Sequence, residues 1–113
     1  MIIDGTNIKM TRGDTEEISL SCKDVAGIKI DFVNGDIVRL TVKKDINNST
    51  RLIQKEISTF VDGNAIIIIE PNDTKDLRFG KYKYDIQYNR VNGTVKTIIK
   101  PSIFEVEGEV TYE

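Results

Sequence analysis

Between Lys81 and Tyr88 the chain alternates without a break. Tyr82, Tyr84, Ile86 and Tyr88 fall at two-residue intervals, with Lys81, Lys83, Asp85 and Gln87 in the positions between them. Successive side chains of a β-strand point to opposite faces, so this period builds a strand with one apolar face and one wet face. Burying three phenol rings and an isoleucine on one side of a single strand requires a second layer to cover them.

Other segments supply strands of the same kind. Ile18, Leu20 and Cys22 alternate with polar residues, as do Val38, Leu40 and Val42 with Arg39, Thr41 and Lys43. The first fifteen residues read as an edge strand and a tight turn at Gly13, in which Asp14 bonds its own backbone. Lys23 to Val33 is a connection with a short strand near Ile28–Ile30, and Asn34-Gly35 marks a turn. The 44–51 stretch, rich in Asn, Ser and Thr, reads as a loop, and Leu52–Ile57 as a strand. Asp62-Gly63 or Gly63-Asn64 forms the next hairpin turn, and Asn92-Gly93 is the strongest hairpin signal of all. Pro101 ends or bulges the strand that follows, with Ile103–Val106 and Val110–Tyr112 forming the last one or two strands. Pro71, followed by acidic residues, suits the start of a helical turn near residues 71–77 that crosses between sheets. Short strands with turns every 8–12 residues predict an all-β sandwich of about 7–9 strands.

Ala65-Ile66-Ile67-Ile68-Ile69 departs from the alternation, being apolar on both faces. One face belongs to the core. The other is expected beneath a loop or against a partner chain, because contiguous exposed apolar surface marks interfaces. Ile66, Ile67, Ile68 and Ile69 are therefore the candidate residues for assembly.

The 113 residues correspond to one domain, residues 1–113, with a core large enough to need no metal or disulfide. Sixteen basic and eighteen acidic residues leave a net charge of −2, which argues against a partner tracked through its phosphate backbone. The apolar run 65–69 is far shorter than the roughly 20 residues of a membrane helix, and residues 1–4 do not resemble a secretory signal. The single cysteine, Cys22, forms no internal disulfide and reads as a small core hydrophobe.

Chemistry is scarce. With no histidine, serine–histidine and cysteine–histidine pairs and imidazole metal sites are ruled out. One cysteine does not make a structural zinc site. Asp62, Asn64, Asp73 and Asp76 are oxygen donors for a hard cation, but no ligand loop of recognised spacing contains them. No glycine-rich phosphate loop occurs. The expectation is a non-enzymatic protein without catalytic residues, cofactor or metal. Arg12-Gly13-Asp14 reads as a turn before it reads as an adhesion motif. A carbohydrate site would need exposed aromatic platforms, whereas the chain has no Trp and three of its four Tyr fall on the strand face assigned to the core.

Asp76, Gly80 and Tyr82 are spaced like the corner that enters the sixth strand of immunoglobulin-like sandwiches, where a Tyr hydroxyl bonds the main chain a few residues upstream. The order of motifs as a whole resembles small phage and prophage tail proteins of Gram-positive hosts, whose immunoglobulin-like domain is like the N-terminal domain of the baseplate upper protein. The residues carrying the resemblance are Arg12–Thr15, Gly35-Asp36-x-Val38-Arg39-x-Thr41-Val42 and Glu70–Thr74. They continue through Gly80-Lys-Tyr82-x-Tyr84-Asp85-Ile86, Asn92–Val95, Phe104-x-Val106 and Val110-Thr111. The resemblance implies a structural module of a tail or baseplate, made in the bacterial cytoplasm and carried in the virion. Its partners would be other tail or baseplate proteins or further copies of itself, with no nucleic acid or membrane. The alternative is a carbohydrate-binding or host-surface adhesion module. Longer family members continue into fibre-forming regions, so a docking or connector part is what a chain of this length suggests.

Overall fold

The computed structural model describes residues 2–4, 6–24 and 26–108. Its elements are β1 (Ile2–Asp4), β2 (Asn7–Thr11), β3 (Glu16–Leu20), β4 (Cys22–Lys23), β5 (Lys29–Ile30), β6 (Ile37–Lys43), β7 (Ile53–Ile57), β8 (Ala65–Ile69), α1 (Pro71–Thr74), β9 (Gly80–Asn89) and β10 (Val95–Glu107). One layer is a six-stranded sheet in the order β1-β2-β10-β9-β6-β7, and β3 pairs with β8 to form the layer across from it. β4 and β5 form a small separate ladder. The chain is an all-β sandwich with one helical turn.

β9 lies between β6 and β10, antiparallel to both. Its alternation places Tyr82, Tyr84, Ile86 and Tyr88 inward, none more than 5% exposed. Val38, Leu40 and Val42 of β6 and Phe104 and Val106 of β10 extend the same inner face. Ile18, Leu20, Ala65, Ile67 and Ile69 meet them from the β3–β8 layer. Each phenol inserted here needs a partner for its hydroxyl. Tyr82 donates to the carbonyl of Arg78 at 2.7 Å, which is the expected corner, and Tyr84 donates to the carbonyl of Thr6. Tyr88 donates to the carboxylate of Asp36 at 2.8 Å.

Several local expectations are revised. The N-terminal segment is a hairpin in which β1, not β2, is the edge, because β2 is held on its other side by a parallel ladder with β10. At Pro101, by contrast, the expected irregularity is present, and of the two alternatives the strand bulges and does not end. The strand runs through it with register shifts between Thr97 and Ser102, so a residue lacking an N–H falls where the ladder with β9 is already irregular. The expected strand at Val110–Tyr112 lies outside the described residues. In the 11–14 turn the carboxylate of Asp14 is not the organiser. Asp14 N–H donates to the Thr11 carbonyl, and the fully buried Thr74 hydroxyl accepts the N–H of Gly13 at 2.9 Å.

Two turns follow their sequence chemistry. Val61 and Asn64 exchange N–H···O bonds around Asp62-Gly63, both of which have positive φ, the arrangement that Asp-Gly favours. Arg90 to Thr94 is a longer loop that Gly93 closes, its N–H bonding the Arg90 carbonyl. α1 begins at Pro71 behind a reciprocal cap between Glu70 and Asp73, and it carries the chain from β8 to β9 in the other layer. Asp73 also pairs with Lys55 of β7 at 2.8 Å, a half-buried bridge that ties α1 to the large sheet.

Candidate interaction surface

The β3–β8 layer is the narrower of the two, with two strands against six. Each of its strands has one ladder partner among the described residues, so each has one side on which no further strand is paired. The register sets Ile18 opposite Ile67 and Glu17 opposite Ile68. Five consecutive apolar residues on a strand cannot all point one way, and the pleat divides them. Ala65, Ile67 and Ile69 are fully buried, whereas Ile66 is half-buried and Ile68 is 45% exposed. Of the four candidate isoleucines, Ile67 and Ile69 therefore serve the core, and the outward apolar row is reduced to Ile66 and Ile68. Glu17 and Ser19 flank that row from β3.

Gly80 and Tyr82 stand at the opposite side of the molecule's logic: they fix the entry to β9. Gly80 has φ +145°, with open space where a side chain would begin, so its role is conformational. Tyr82 is buried, and its hydroxyl is committed to Arg78.

Three connections meet at one end of the sandwich: residues 26–36, 58–64 and 90–94. The first and third are joined by Asp36, a buried carboxylate, and the second is tied to the first where Phe32 N–H donates to the Gly63 carbonyl. Asp36 accepts the N–H of Val33 and of Val91, each at 2.9 Å, besides the Tyr88 hydroxyl. Burial raises its pKa, but those three donors and the Arg90 charge outweigh burial and hold it below the usual carboxylate value. Burial and the adjacent carboxylate together push the Tyr88 phenol up to about 12. Phe32 adds stacking on Phe60 and an edge contact with Tyr88. This fixed frame displays Ile28, Val33, Val61, Val91 and Val95 to solvent, five of the nine exposed large hydrophobics among the described residues. The only sequence signal for Asp36 is its place after Asn34-Gly35, which is as common for a solvated turn residue.

The other expected features separate in space. Asp62 and Asn64 lie at this loop end, while Asp73 and Asp76 lie beyond the far ends of β8 and β9, so the four oxygen donors do not converge. Among the described residues no group of three acids, cysteines or histidines stands close enough to hold a metal ion. Arg12 of the Arg-Gly-Asp turn lies over the Phe79 ring at 4.3 Å and donates to the Leu77 carbonyl, so its guanidinium is engaged within the fold. Cys22 is partly buried against the core. No protein-family model matches the chain, and no curated protein matches its sequence.

Proposed function

We propose that the chain is a non-enzymatic assembly module of a phage or prophage tail, of baseplate type, working through protein–protein contacts in the virion. The observation that carries this reading is the β3–β8 layer: a two-stranded ladder, extended by no further strand among the described residues, with an outward pair of isoleucines. An Ile side chain is worth about 1.5–3 kcal/mol when it leaves water, so covering Ile66 and Ile68 while extending a ladder gives a neighbour both affinity and register. The carbohydrate-binding alternative needs aromatic rings open to solvent. Tyr82, Tyr84 and Tyr88 are buried and their hydroxyls are bonded to the protein, which favours assembly over sugar recognition.

Sedimentation and light scattering across a concentration series test the reading, for the chain alone and mixed with purified products of its neighbouring genes. Self-association or a defined complex that Ile68→Lys abolishes is expected. A species that stays monomeric throughout, and binds none of those products, would overturn the proposal.

A further inference from the structure

The outer face of the large sheet holds a groove of about 450 Å³, within the range of small-molecule sites. It is concave because the sheet is flanked on both sides there. The 44–52 loop rises at one side, anchored where Leu52 N–H returns to the Val42 carbonyl, and β10 bulges around Pro101 at the other. The groove's charges are unusual for a chain of net charge −2: Arg39, Lys43, Arg51 and Lys83 against Asp45 and Asp85.

Lys43 and Lys83 are direct partners across the β6–β9 ladder. Like charges opposite one another oppose strand pairing, and sheets normally place an acid or a neutral residue there. Among the described residues neither lysine has an ion-pair partner. The nearby acids are placed otherwise. Glu56 holds Arg39 at 2.9 Å, Asp45 accepts the N–H of Asn47, and Asp85 sits one outward row away, opposite Thr41. Arg51 completes the cationic side, its guanidinium reaching, among the described residues, the neutral Gln54.

We propose that this groove binds a small organic ligand bearing a phosphate- or sulfate-type oxyanion, which sits between Lys43, Lys83 and Arg51. The oxyanion supplies the negative charge that the cross-strand pair lacks, through charge-assisted hydrogen bonds. Ile46, which is 63% exposed, and Pro101 form apolar walls for the carbon portion. This inference is independent of the assembly reading, since it uses the opposite layer of the sandwich.

A backbone-amide NMR titration of the whole chain tests it, with orthophosphate, phenyl phosphate and phenol as probes. Saturable shifts confined to residues 41–45, 51–54 and 83–87 are expected with both phosphates, the ester binding more tightly, and none with phenol. Lys43→Gln and Lys83→Gln should each weaken phenyl phosphate about tenfold, the loss of one charge-assisted contact. Both variants should melt no lower than the parent, because the repulsion is relieved; that keeps lost binding distinct from lost folding. Equal shifts with phenol, shifts spread over surface lysines at large, or unchanged binding in both variants would each overturn the site.

Discussion

Two oxygen contacts, one partly and one fully buried, distinguish what a single residue contributes to this fold. Tyr82→Phe removes the donor to the Arg78 carbonyl while keeping the ring, so the loss should be that of an orphaned acceptor, about 1–3 kcal/mol. Urea unfolding of the two proteins measures it, and a Phe variant of equal stability would show that the corner bond is dispensable. Asp36→Asn places an amide where two backbone N–H groups and a phenol converge on a carboxylate. The charge is lost, and one amide hydrogen faces a donor, so a cost of about 1.5–3 kcal/mol or more is expected. Amide exchange of Val33 and Val91 should accelerate, as those are the N–H groups released. Tyr82 was legible because its partner lies four residues away and the local spacing specifies the turn. Asp36 was not, because Tyr88 and Val91 lie 52 and 55 residues along the chain, and no short-range pattern records such a contact.

For a whole strand, legibility depends on how many faces are buried. β6 and β9 have one inner and one outer face, so alternation alone gave their register to the core. β8 defeats that logic, since isoleucine occupies both faces, and only pairing with β3 decides which ones turn inward. The structure thus predicts opposite outcomes at adjacent positions. Ile67→Ala should cost about 2–5 kcal/mol by opening a cavity in the core. Ile68→Ala, at an exposed site, should stay within about 0.5 kcal/mol, its effect appearing in association instead. Thermal unfolding at low concentration separates the two, and a large loss at Ile68 would mean that its side chain is packed within the monomer. β10 illustrates a different limit. Pro101 correctly signalled irregularity, but proline chemistry does not say whether a strand stops or bulges; the continuous ladder of Ser102–Val106 with β9 decides that.

At the scale of the whole molecule, the loop end couples folding to pH from both sides. Asp36 keeps a folded pKa below 3.8, so above that value its ionised form favours the native state. As pH falls through 3.8 and below, the unfolded chain takes up the proton first, and this stabilisation is lost. Tyr88 acts at the other extreme. Between its ordinary value of 10.0 and its folded value of about 12, the unfolded chain releases a proton that the native protein retains. Stability therefore falls with rising pH across that window, by at most about 1.4 kcal/mol per pH unit for one group. Burial raises the Tyr84 phenol as well, adding a fall of the same sign. Denaturant midpoints measured from acid to alkali should trace a plateau with two declining limbs. Tyr88→Phe should shallow the alkaline limb while Tyr84 maintains part of it, and Asp36→Asn should flatten the acid limb and lower the plateau. Because the same carboxylate and phenol hold Val33, Val91 and the Phe32 ring in place, both limbs should coincide with loss of the near-ultraviolet aromatic signal. An alkaline limb unchanged in Tyr88→Phe would show that the Asp36–Tyr88 contact does not govern how this sandwich unfolds.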